Sequence, residues 1–116
     1  MRAPWAGKPP VMRDFEFAER RKGDEAAVAL KGELDMQATF RLEPAIDRLL
    51  EADGVRRLVL DLAGVDFVDS SGLGLLLATH ERSAAADVSM SIVGTRPEIS
   101  RVFELAGIRD VLPLSA

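Results

Sequence analysis

Apolar and polar positions alternate in DFEFAER, where Phe15 and Phe17 take one side, as in a half-buried strand. Lys22, Gly23 and Asp24 read as a turn, and Ala26 to Leu30 return as a second strand, so the pair predicts an antiparallel hairpin. KGELDMQAT follows, with Gly32 allowing a bent backbone and Glu33 and Asp35 in a polar loop at the strand end. Leu42, Ala45, Ile46, Leu49 and Leu50 then recur at helical spacing between about Phe40 and Ala52. Pro44 fits a first helical turn and is costly further in, so this helix is expected to begin after Thr39 or to kink there.

Arg57 to Leu62, RLVLDL, reads as a central strand covered on both faces. A loop, AGVDFVD, leads into a second helix from Ser71 to about Ala85, with Leu73, Leu76, Leu77, His80 and Ala84 as its stripe. Val88 to Val93 is a further strand. Thr95 and Glu98 have capping-box spacing for a third helix, whose apolar face is Ile99, Val102, Phe103 and Ala106 and whose end is Gly107. Val111 to Leu114 forms a short last strand, marked as an edge by Pro113.

The predicted order is ββαβαβαβ, an α/β fold. Strand-helix-strand crossovers of one hand favour a mixed sheet, and strands lying in sequence order put the helices mainly on one face. The loops after the strands then gather on one rim, expected to hold Glu33, Asp35, Asp69, Ser70 and the Gly94 turn. A length of 116 residues suits one domain, read here as residues 14–116. Residues 1–13, with three prolines and Trp5 but no periodicity, read as a flexible leader.

Composition narrows the function. A net charge of −4 and the lack of a clustered basic patch argue against direct nucleic-acid binding. With no cysteine there is neither a disulfide framework nor a thiolate metal site. No stretch approaches the ~20 apolar residues of a membrane span, and the start lacks a signal-peptide core. A cytoplasmic protein away from the membrane is the expectation.

The stretch VDFVDSSGLGLLL, Val65 to Leu77, carries the candidate chemistry. It puts the DSSG of Asp69 to Gly72 at a helix N-terminus, where the first N–H groups lack intrahelical partners and the dipole is positive. Asp69 or Ser70 can cap those groups. The same place suits a hydroxyl that a kinase phosphorylates, because those N–H groups can hold a phosphate.

Enzymatic readings fit poorly. The single histidine, His80, stands ten residues beyond Ser70 in the same predicted helix, about 15 Å away, too far to serve as its base. A phosphate-binding loop needs a lysine after its glycines, and Lys8, Lys22 and Lys31 all lie upstream. Asp61, Asp66 and Asp69 crowd one strand end, but hard cations need several converging oxygens, and loop capping is the default use of such aspartates.

GELD, then RLVLDLAGVDFVDSSGLGLLL, then SIVGTRPEISRVFELAGI, in that order, resemble the STAS-domain anti-sigma factor antagonists of bacteria, over roughly Asp14 to Leu114. The resemblance implies a non-catalytic, phosphorylation-controlled binding protein without cofactor or metal. By position it makes Ser70 the phosphoacceptor and Ser71 the unmodified neighbour. Its partner surface would take in Glu33, Asp35, Asp69, Ser70, Ser71, Gly72 and Leu73. Unphosphorylated, such a protein binds an anti-sigma factor serine kinase and frees the sigma factor; the kinase ends the association by phosphorylating Ser70, and a serine phosphatase restores it. The same fold also serves as a non-switching STAS module of lipid-transport or stress-signalling assemblies, which is the alternative reading.

Overall fold

The computed structural model describes residues 15–115, so the reading of residues 1–13 as a leader lies outside the described residues. The hairpin forms as expected. Strand β1 (Glu16–Lys22) runs antiparallel to β2 (Glu25–Leu34) around Gly23, whose φ of +59° suits glycine in a tight turn. Strands β3 (Arg57–Val68) and β4 (Ser89–Val93) each join in parallel, giving one sheet in the order β1-β2-β3-β4. Helices α1 (Met36–Glu51) and α2 (Ser70–Ala85) make the parallel crossovers, and α3 (Pro97–Leu105) follows β4.

Burial shows which face is packed. Val28 and Leu30 of β2, Leu58, Leu60 and Leu62 of β3 and Ile92 of β4 share one core with Leu42, Ile46, Leu76 and Phe103 of the helices. Neighbouring strands in chain order put their crossovers on the same side, so the helices gather there. The alternate positions, including Ala27, Ala29, Val59, Asp61 and Val93, line a shallow groove on the other face. β3 is therefore not covered on both faces, as its apolar run had suggested: Val59 and Asp61 are only half-buried.

Several boundaries differ from the sequence reading. β2 continues through Glu33 to Leu34, and β3 continues through the expected AGVDFVD loop to Val68. Two register shifts explain why the period failed. Between Ala29 and Lys31, and again between Gly32 and Glu33, β3 carries one residue more than β2, so its buried positions run Leu62, Val65, Val68 instead of every second residue. Gly64 sits in the first shift, where a Cβ would come 2.8 Å from the Leu30 carbonyl oxygen.

α1 begins at Met36, four residues before Phe40, because Asp35 caps it. It runs on past Pro44, which lies on the exposed side, where water can serve the Phe40 carbonyl that the ring leaves unpaired. The buried face of α2 is Gly72, Leu75, Leu76, Thr79 and Ser83, one position back from the leucine-led stripe that the sequence suggests. Small and hydroxyl side chains let the helix sit close to the sheet, and a hydrophobicity pattern overlooks them. The capping box at Thr95 does not form: Pro97 takes the first position of α3, and extended Arg96 is its N-cap without a side-chain bond. The expected last strand shrinks to a single parallel bridge, Ile92 to Leu114. There the Ile92 N–H donates to the Pro113 carbonyl and Ser115 donates to that of Ile92, each at 2.9 Å. Among the described residues no helix is long and apolar enough to cross a membrane.

Candidate functional site

Two strand-to-helix junctions stand side by side. Leu34 and Val68 are partners at the ends of β2 and β3, and each is followed by an extended aspartate and then a helix. Asp35 Oδ1 accepts the Ala38 N–H at 3.0 Å, and Asp69 Oδ1 accepts the Gly72 N–H at 3.0 Å. The Asp69 N–H donates across to the Leu34 carbonyl at 3.3 Å, tying one junction to the other. Each aspartate thus satisfies one of the donors that a helix start leaves without a partner.

The capping question raised by DSSG is settled in favour of Asp69. Ser70 is the first residue of α2 and its side chain is exposed, while Ser71 behind it is half-buried. Gly72 sets how near α2 comes to the sheet. A Cβ there would fall 2.3 Å from the Leu34 carbonyl oxygen and 2.9 Å from both Leu34 Cγ and Val68 Cγ1. Leu73 is partly buried against the core, so only part of it faces outward.

The rim formed by these junctions gathers Glu33, Asp35, Asp69 and Ser70, as the sequence reading expected, but not the Gly94 turn; Ser71, Gly72 and Leu73 follow Ser70 in the first turn of α2. β4 ends at Val93, paired with Asp61, seven residues before Val68 and so roughly 20 Å back along the strand. Gly94 belongs instead to a brace in which Asp61 Oδ1 accepts the Ala63 N–H at 2.9 Å and Arg96 Nε donates to the Ala63 carbonyl at 2.8 Å.

Three rim residues escaped the sequence reading. Phe67, paired with Glu33, is 47% exposed; Met36, directly after the Asp35 cap, is 55% exposed; and Phe40, one turn further along α1, is 70% exposed. Large apolar side chains left open beside carboxylates suit contact with another protein surface. The signal for Met36 and Phe67 was their place within two residues of the capping aspartates, in ELDM and FVDS.

His80 is ten residues along α2 from Ser70, about 15 Å at helical rise, so the expected separation holds. Asp61 and Asp69 are each turned to a nearby backbone N–H, and among the described residues no three acidic, histidine or cysteine side chains converge on a possible metal position. What the site can do is present an alcohol at the positive end of a helix, within an acidic and apolar surround.

Comparison with known proteins matches residues 18–116 to the STAS domain family. The chain is 33% identical over 85 residues to the anti-sigma-B factor antagonist of Staphylococcus aureus (strain NCTC 8325 / PS 47), covering 73% of this chain and 78% of that protein. The crystal structure of an anti-sigma factor antagonist from Mycobacterium paratuberculosis superimposes with a TM-score of 0.76 at 31% identity, covering 87% of this chain and 85% of that one. The Bacillus cell fate determinant SpoIIAA in its phosphorylated form is similar in fold, with a TM-score of 0.67 at 21% identity over 89% of this chain and 92% of that one.

Proposed function

We propose, since the chain belongs to the STAS-domain family and within it to the anti-sigma factor antagonists, that it is a binding protein switched by phosphorylation at Ser70. Unphosphorylated, it docks an anti-sigma factor serine kinase on the rim of Glu33, Asp35, Asp69, Ser70, Ser71, Gly72 and Leu73, and the sigma factor is released. The kinase transfers the γ-phosphoryl group of ATP to the Ser70 oxygen, which gives up its proton, and the complex parts. A serine phosphatase resets the protein. The setting is the cytoplasm, and the protein itself catalyses nothing.

One observation carries this reading: Asp69 holds the cap, so the exposed Ser70 hydroxyl has no structural duty at the helix start. A phosphate there adds about −1.5 to −2 charges, and the dipole and N–H groups of α2 can accommodate it within the domain. A partner surface seated on the neutral rim meets a different situation. It must bury a dianion beside Asp69, and an unpaired buried charge costs about 3–5 kcal/mol, at about 1.4 kcal/mol for each tenfold in affinity.

Intact mass after incubation with ATP and an anti-sigma factor kinase tests the chemistry: a gain of one phosphate is expected, absent in Ser70→Ala. In a pull-down with that kinase, Ser70→Ala should be retained and Ser70→Glu lost. Equal retention of both variants would refute the switch.

A further inference from the structure

We propose that the open face of the sheet, opposite the helices, pairs with the same face of a second copy of this chain in a weak two-fold dimer. Among the described residues the helices pack on one side of the sheet, so β1 to β4 present the other side bare. The register of β1 and β2 fixes the charge layout there. Glu16 stands opposite Lys31, Ala18 opposite Ala29, Arg20 opposite Ala27 and Lys22 opposite Glu25. These residues point away from the core, because the alternate ones, Phe17, Val28 and Leu30, pack into it. Each end of the pair therefore carries one acid and one base, in reversed places, with alanines between them.

That layout complements itself. A half-turn about an axis lying across the strands sets Lys22 against the partner's Glu16 and Glu25 against the partner's Lys31, and the symmetry repeats both pairs. The same turn lays Ala27 on the partner's Ala29, so small side chains meet where the sheets approach, and Val59 and Val93 line the same groove. Within one copy Lys31 and Glu16 meet only at 3.8 Å, with side chains 74% and 66% exposed, so both have room for a second contact. Two other charges on the face do not obstruct it. Arg20 lies on the edge strand, where its head reaches water past the sheet margin, and Asp61 Oδ1 already accepts the Ala63 N–H.

Four strands about 4.8 Å apart and seven residues at about 3.3 Å each give a face of about 450 Å². Two such faces fall short of the roughly 1,200 Å² at which stable specific interfaces begin, so the dimer is weak and reversible. The half-turn sends the two Ser70 rims to opposite ends, where both stay open. Dimer formation needs neither a kinase nor Ser70, and so goes beyond the switch described above.

Sedimentation equilibrium of the full chain from about 10 µM to about 1 mM should show the average mass rising from that of one chain towards two. Lys22→Glu with Glu25→Lys exchanges the charges at one end. This keeps the net charge and the pair within each copy but opposes like charges across the dimer, and association should fall at least tenfold. Adding Glu16→Lys and Lys31→Glu reverses the other end, restores opposite signs throughout and should return association to within threefold of the unaltered chain. Leu105→Ser, at an exposed side chain of α3, should change nothing. For the unaltered chain, dilution should shift the amide NMR signals of Ala27 and Ala29 and leave those of α3 in place.

The mass of a single chain throughout the range, association indifferent to the one-end exchange, or no recovery in the fourfold variant with its fold intact by circular dichroism would each overturn the proposal. Should the exchanged variants unfold, the dilution shifts decide: signals that move only outside the open face, or nowhere, overturn it.

Discussion

Asp35 and Asp69 hold corresponding places at the starts of adjacent helices, each accepting the N–H three residues on at 3.0 Å. The two junctions are joined by the Asp69 N–H to the Leu34 carbonyl, so the rim is one braced unit. Asp69→Ala should lower unfolding free energy by about 1 kcal/mol, and Asp35→Ala by a similar amount, because each strands a helix donor. Asp69→Ser should recover most of the loss. Urea unfolding followed by circular dichroism measures all three.

Two glycines two positions apart on α2 should respond in opposite directions. Gly72→Ala drives a methyl group to 2.3 Å from the Leu34 carbonyl oxygen, a backbone atom that cannot step aside, and should cost about 1–3 kcal/mol or more. Gly74→Ala meets nothing within 4 Å and should stabilise the helix by up to about 1 kcal/mol. A thermal melt of the two variants that shifted both ways alike would contradict the close seating of α2.

Thr79 and Ser83 lie on the buried face of α2 with 0% and 1% exposure, and neither hydroxyl has a hydrogen-bond partner among the described residues. An unpaired hydroxyl in the core carries a desolvation penalty of about 1–3 kcal/mol. Thr79→Val keeps the shape and removes the hydroxyl, so it should raise the unfolding free energy by about 1 kcal/mol. Denaturant midpoints at unchanged slope would confirm it.

Negative charge at position 70 should leave the domain standing. Ser70→Glu places a carboxylate at the first residue of α2, where the dipole contributes about 0.3–1 kcal/mol and Asp69 opposes it. The expected change in stability is within about 1 kcal/mol. If Ser70→Glu unfolded the protein, lost binding could no longer be traced to a local charge.

How far the sequence revealed the site depends on which signal carried it. The aspartate, serine and glycine of DSSG were legible because capping is local chemistry, and local chemistry survives without knowledge of the fold. The run from Ala63 to Val68 was misread as loop because two extra residues in β3 destroy the period of two that marks a strand. The α2 face was misplaced by one position because Gly72, Thr79 and Ser83 are buried for fit instead of hydrophobicity. Gly94 was put on the rim on the assumption that all parallel strands end level, and strand length is a tertiary property that no single segment encodes.

The uneven lengths have a consequence for how another molecule can approach. Among the described residues, β3 has no strand partner from β4 past Asp61 and β2 has none from β1 past Lys31, so the paired ends of the two middle strands form a promontory. Ser70 stands at its tip. A cleft can straddle such a headland and touch both flanks at once, which a site level with the sheet margin would not permit.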